Sequence, residues 1–155
     1  MHKIGLFPGT FDPVTLGHID IIDRAIPLFH KLYIGIGNNS NKKTMFSAKK
    51  RKQWFDKIYS QNPNIETIIY NGLTIDCCHQ LNAKFIIRGI RYVSDFEYEK
   101  AIADANRQLD KKIETIFLTC EPKFSSVAST IVRDIIRNGG DVSNFLPDIV
   151  NNDLK

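Results

Sequence analysis

Three short segments carry the residues that could handle a phosphate. The first is Pro8-Gly9-Thr10-Phe11-Asp12-Pro13 followed by Thr15-Leu16-Gly17-His18. Gly9 and Gly17 bracket a turn in which backbone can approach a ligand closely. Thr10 offers a hydroxyl to a phosphate. His18 opens the next helix, where unpaired N–H groups and the helix dipole favour an anion. The spacing is neither that of the dinucleotide fingerprint nor that of a Walker A loop. The second segment is Arg88-Gly89-Ile90-Arg91, whose two guanidinium groups can grip phosphates bidentately or pair with Asp95, Glu97 and Glu99. The third is Phe124-Ser125-Ser126-Val127-Ala128-Ser129-Thr130, running into Ile131-Val132-Arg133. A hydroxyl-rich run opening a helix supplies a cap and exposed N–H groups, which serve a phosphate or merely the helix.

These segments need elements to hold them. Lys3–Phe7, Leu32–Ile36, Ile65–Tyr70, Lys84–Arg88 and Ile113–Thr119 read as strands. Helices are expected between them. Ile22, Ala25, Ile26 and Phe29 share a helical face, with Pro27 forcing a kink or an early end. Ser47–Tyr59, Thr74–Leu81 and Ser129–Arg137 are further helices, the last stopped by Gly139-Gly140. Ser94-Asp95-Phe96-Glu97 has the form of a capping box, opening a helix with Tyr98, Ile102, Ala105 and Leu109 on one face. Strands alternating with helices imply parallel strands joined by right-handed crossovers, and the expected architecture is a doubly wound, Rossmann-like α/β fold with helices on both faces of a five-stranded parallel sheet, taken in the order 3-2-1-4-5. In such a sheet ligands bind beyond the carboxyl ends of strands one and four. The first two segments follow those strands.

Composition limits what the chain can be. Its 155 residues, 43% hydrophobic and 25% charged, suit one globular domain spanning residues 1–155. Disordered and collagen-like classes are excluded, and no apolar run is long enough for a membrane span. The N-terminal apolar stretch stops too early for a signal-peptide core. Cys77, Cys78 and Cys120 read as reduced thiols of a cytoplasmic protein, and Cys77-Cys78-His79 lacks a second ligand pair at zinc spacing. The net charge of +4 is partly gathered in Lys42, Lys43, Lys49, Lys50, Arg51 and Lys52. That surface suits anions of any kind. Nucleic-acid binding would require an aromatic platform or a recognition motif, and Trp54-Phe55 fits a core at least as well. His2, His30 and His79 are expected as surface or packing residues.

Gly9-Thr10-Phe11-Asp12-Pro13 with Thr15-Leu16-Gly17-His18 resembles the signature of the HxGH nucleotidyltransferases. Thr15, Lys42-Lys43 with Phe46, Arg88-Gly89-Ile90-Arg91 and Asp95-Phe96-Glu97-Tyr98-Glu99 resemble the phosphopantetheine adenylyltransferase family within them. The similarity runs on through Asp141-Val142 and Phe145-Leu146-Pro147. It implies the fourth step of coenzyme A synthesis: ATP and 4′-phosphopantetheine give 3′-dephospho-coenzyme A and pyrophosphate, with Mg²⁺ bound mainly through the ATP phosphates. It also implies a cytoplasmic homohexamer, feedback-inhibited by coenzyme A, with no nucleic-acid or membrane partner.

Residue by residue, the resemblance places Thr10, Lys42 and Arg88 at the acceptor phosphate and Thr74 at the pantetheine arm. It places Thr10, Phe11, His18, Gly89, Ile90, Arg91 and Glu99 at ATP. Phe124, Ser125, Ser126, Val127, Ala128, Ser129 and Thr130 join that set. His18 matches the transition-state stabiliser, with Lys42 and Arg91 as catalytic cations. An acceptor phosphate is already nucleophilic at neutral pH, so positioning and charge neutralisation suffice. The charge state of His18 is open, since a helix N-terminus favours neutral imidazole and ligand phosphates favour imidazolium. Ala128 stands where serine is common, Phe124 where tryptophan occurs, and Lys50 where glutamate is common. A sibling transferase acting on nicotinamide mononucleotide, glycerol phosphate or flavin mononucleotide is the nearest rival, and a non-catalytic nucleotide sensor a further one.

Overall fold

Strand residues alternate between two hydrophobic layers, so one sheet must be covered on both sides. Leu6 packs with Ile75, Cys78 and Ile86 on one side. Phe7 packs with Ile22, Trp54, Phe55 and Ile87 on the other. The computed structural model describes residues 2–38, 41 and 43–155. Its elements are β1 (Ile4–Gly9), α1 (Leu16–Ala25), β2 (Lys31–Gly37), α2 (Ala48–Ile58), β3 (Ile65–Tyr70), α3 (Thr74–Leu81), β4 (Phe85–Ile90), α4 (Val93–Leu109), β5 (Glu114–Thr119), α5 (Ser129–Arg137) and α6 (Asp148–Asp153).

The five strands pair in the order β3-β2-β1-β4-β5. Every pairing is parallel. Residues of α1, α2, α5 and α6 fill the Phe7 side, whereas α3 contributes Ile75, Cys77 and Cys78 to the Leu6 side. α4 lies beside α3 and crosses β4 and β5, where Phe96 meets Phe117 edge-on at 5.5 Å. Each fully buried leucine or isoleucine stabilises this arrangement by about 1.5–3 kcal/mol. The expected sheet order and two-sided cover are both observed.

Several local expectations need correction. Pro27 does end the helix: α1 stops at Ala25 and Ile26–Leu28 form a 3₁₀ turn. α4 begins at Val93, ahead of the expected cap at Ser94. Instead, the Asp95 carboxylate accepts the N–H groups of Arg91 and Tyr92, because Arg91 also holds that carboxylate through its guanidinium. Of the four residues expected on one face of α4, only Ile102 packs inward. Tyr98 and Leu109 are 69% and 59% exposed, and Ala105 is exposed. Asp95, Glu99, Ile102, Ala103 and Asn106 turn inward, because Glu99 is drawn to Arg88. α6 was not foreseen; it is short, and Val150 anchors it in the core.

All three cysteines are free. Burial pushes the Cys77 thiol up to about 11 and Cys78 to about 12, which leaves both inert at neutral pH. The remaining histidines have partners that the sequence did not suggest. His30 Nδ1 accepts the Lys3 N–H at 3.0 Å, and His79 Nε2 lies 2.8 Å from Asp110. No helix among the described residues is long and apolar enough to cross a membrane.

Candidate active site

β1 and β4 are neighbours at the point where the winding direction reverses, and their carboxyl ends open onto two adjoining cavities. The first, of about 590 Å³, is lined by Thr10, Phe11, His18, Gly89, Arg91 and the start of α5. The second, of about 630 Å³, is lined by Thr74, Tyr70, Ile102 and Asn106. Thr10, Thr44, Arg88 and Glu99 line both. Two ligands can therefore meet across one polar wall.

The turn after β1 is tightly held. A Cβ on Gly9 would lie 2.7 Å from the Phe11 ring, so only glycine fits there. That ring is buried edge-on against His18 at 5.0 Å and Phe55 at 4.9 Å. Gly17 differs: its nearest neighbours would stand 3.7 Å from a Cβ. Protein packing does not demand glycine at that position, but a side chain would take up space in the first cavity, which Gly17 lines.

Thr15 caps α1, accepting the His18 N–H at its hydroxyl. In return, the Thr15 N–H donates to His18 Nδ1 at 3.0 Å. An accepting Nδ1 assigns the proton of the neutral ring to Nε2. Burial, then Arg91 and Arg88, lower the His18 pKa to about 4. The accepting Nδ1 and the lowered pKa both favour a neutral His18 with its proton on Nε2.

The two arginines combine both readings that the sequence allowed. Arg88 donates Nε and Nη2 to the Glu99 carboxylate, with the Nε bond at 2.6 Å, and Nη1 to the Pro8 carbonyl at 2.7 Å. A guanidinium carries about five N–H donors, so Arg88 is oriented with donors to spare. Arg91 pairs with Asp95 through Nε at 3.1 Å. Glu97 takes no part in these pairs. Glu99 lines the cleft, and its observed role is to orient Arg88.

At α5 the hydroxyls do not cap the helix. Ala128 occupies the cap position with no side-chain hydrogen bond. Ser129 donates instead to the Pro13 carbonyl at 2.8 Å, and Ser125 to the Pro122 carbonyl. The first-turn amides are therefore left for a ligand at a helix N-terminus. Phe124, Val127, Ala128, Ser129 and Thr130 line the first cavity; Ser125, Ser126 and Ile90 do not. Thr74 lines the second, its hydroxyl 3.1 Å from that of Tyr70. Lys42 lies outside the described residues.

Sequence reasoning passed over Arg133, which donates to the Asp12 carbonyl at 2.7 Å and lines the first cavity. Its place three residues after Thr130, on the cleft face of α5, was the available signal. The acid groups at the cleft are engaged. Asp12 accepts backbone N–H groups, while Asp95 and Glu99 hold arginines. Among the described residues there is no group of three or more His, Cys, Asp or Glu side chains that could hold a metal. The donor set suits phosphates.

The Cytidylyltransferase-like family model matches residues 6–135. A phosphopantetheine adenylyltransferase of Flavobacterium psychrophilum is 54% identical over 145 residues, covering 94% of this chain and 95% of the relative. One from Bacteroides thetaiotaomicron is 48% identical over 143 residues, covering 92% and 94%. The chain belongs to the phosphopantetheine adenylyltransferase family. A solved structure from Vibrio parahaemolyticus, described as a nicotinate-nucleotide adenylyltransferase, covers 99% of both chains with a TM-score of 0.72 at 18% identity. That likeness concerns the fold alone. Membership in the phosphopantetheine adenylyltransferases makes this chain a nucleotidyltransferase of coenzyme A synthesis.

Proposed function

We propose that the two cavities hold the two substrates of one adenylyl transfer, and that the shared wall of Thr10 and Arg88 is where they react. The reaction joins ATP to 4′-phosphopantetheine, giving 3′-dephospho-coenzyme A and pyrophosphate. The observation that carries this reading is the pair of adjoining cavities with oriented phosphate-binding groups between them.

ATP occupies the first cavity. Its phosphates meet Arg91, the Gly89 backbone and the open amides of Ala128, Ser129 and Thr130, with Phe11 and Phe124 as apolar walls. The acceptor phosphate binds at Thr10, Arg88 and Lys42, and its arm runs past Thr74 into the second cavity. An acceptor oxygen attacks the α-phosphorus as the bond to pyrophosphate breaks. No general base is needed, because the acceptor phosphate is already an anion. His18 donates its Nε2–H to the charge growing on the α-phosphate, which a neutral imidazole can do without giving up its proton. Mg²⁺ brought in with ATP would supply further charge neutralisation, since no cluster of described carboxylates stands ready to hold it.

The protein works in the cytoplasm as a hexamer, in which exposed apolar residues of α4 such as Val93 and Phe96 are covered by neighbouring copies. Coenzyme A, which contains the acceptor's own arm, inhibits by filling the second cavity. The test is pyrophosphate release from purified protein supplied with ATP, Mg²⁺ and 4′-phosphopantetheine. Release that depends on the acceptor is expected. A folded, ATP-binding protein that stays silent with this acceptor would overturn the substrate assignment and turn attention to sibling acceptors.

A further inference from the structure

Beneath the cleft wall lies a closed ring of hydrogen bonds that substrate binding alone does not explain. Asp12, 3% exposed, accepts the Met45 N–H at Oδ2 and the Phe46 N–H at Oδ1, each at 2.8 Å. Arg51 comes from α2 and is 1% exposed. It donates Nε to the Phe46 carbonyl at 3.0 Å and Nη1 to the Thr10 carbonyl. Phe46 is thus held at both its N–H and its C=O, and the ring closes back on the turn after β1. Within that turn Phe11 has φ 52, a left-handed conformation that persists only where the surroundings hold it. Burying a guanidinium is costly unless its donors are used, and here they join two chain segments. One of those segments carries Thr10 and the other Thr44, both of which line both cavities. Arg51 itself borders only the second.

We propose that Asp12 and Arg51 are positioning residues for acceptor binding, clamping residues 43–46 to the Thr10–Asp12 turn and so fixing the wall that the acceptor phosphate meets. This rests on the functional reading above. The clamp acts through backbone, so its loss blurs the placement of Thr10 and Thr44. Arg51 adjoins the acceptor cavity alone, whereas Thr10 and Thr44 line both, so its loss falls more heavily on the acceptor than on ATP.

The test uses Arg51→Lys, Asp12→Asn and the double variant. Arg51→Lys keeps the charge but loses the planar fork that spans two carbonyls. Asp12→Asn keeps one acceptor oxygen and presents an NH₂ to a second N–H donor. In each folded single variant the KM for 4′-phosphopantetheine is expected to rise about tenfold. In Arg51→Lys the equilibrium dissociation constant for ATP should stay within about twofold. The double variant should lose about 10–30-fold rather than the product of the singles, since both residues act through Phe46. An unchanged acceptor KM, a parallel loss of ATP affinity in Arg51→Lys, or multiplicative effects would overturn the clamp. If Arg51→Lys does not fold, the acceptor KM of Asp12→Asn decides alone. Tryptic cleavage between Lys43 and Thr44 reports the clamp with no substrate present. Faster cutting in the variants supports it and an unchanged rate overturns it, even if the wild type fails to use this acceptor.

Discussion

His18 combines three constraints in one ring: an accepting Nδ1, burial, and two nearby guanidinium groups. All favour the neutral form. His18→Ala is expected to lower kcat by about 10²–10³ while ATP binding and the fold persist; single-turnover kinetics beside a calorimetric ATP titration would check both. The same burial makes stability depend on pH. The folded pKa near 4 lies below the unfolded value near 6.5, so the unfolded chain binds more protons between them. The contribution of the neutral ring is complete above about pH 6.5 and is lost as pH falls towards 4, an effect of about 3 kcal/mol. Urea unfolding at pH 7 and pH 4.5 should therefore show a smaller acid loss in His18→Asn than in the wild type. An equal loss in both would place the proton uptake elsewhere.

Two element ends shape the cleft by what they omit. At the start of α5, Ala128 leaves the first-turn amides without a side-chain cap. Ala128→Ser adds a cap and is expected to stabilise the protein by about 1 kcal/mol, read as a higher urea midpoint at constant slope. At the end of β1, Gly9→Ala pushes a methyl against the Phe11 ring at 2.7 Å. That ring is boxed in by Phe7, His18 and Phe55 and cannot yield. We expect a loss of about 1–3 kcal/mol. The acceptor KM should rise with it, because Thr10 moves with the turn. Differential scanning calorimetry and initial rates would separate the two effects.

On the scale of the whole molecule, α4 buries none of its residues, while Val93, Phe96, Tyr98 and Leu109 stand exposed. At 3.6 residues per turn Val93 and Phe96 fall on one edge of the helix and Tyr98 and Leu109 on the other, and the Val93–Phe96 edge is the one to test as a contact between copies. The double change Phe96→Glu and Val93→Asp is expected to shift the assembly to smaller species at unchanged helicity, as seen by light scattering after gel filtration. An unaltered mass would show that this edge of α4 makes no contact between copies. The basic stretch reads differently once folded. Trp54 and Phe55 are fully buried, Lys52 is paired with Asp56, and Lys50 with Asp153. Neither of these two rings is open to stack on a base.

The alternation of strands and helices and the position of the cleft were written in local periodicity and in turn residues, while the sheet order was expected from the fold class and is set by long-range strand pairing. Thr74–Leu81 and Ser129–Arg137 fall where their patterns place them. The glycines, His18 and the arginine pair were legible because phosphate chemistry needs those residue types at strand ends. Contacts between residues far apart in the chain were not. The rotation of α4 came from Glu99 reaching Arg88, and the neutrality of His18 from Thr15, burial and two arginines on and just after another strand. Asp12 and Arg51 resemble any surface charges in the sequence, yet they are buried and join two segments. Periodicity encodes which face of an element is apolar. Only the packed molecule decides which polar groups meet, because their pairing is settled by distances that no local pattern contains.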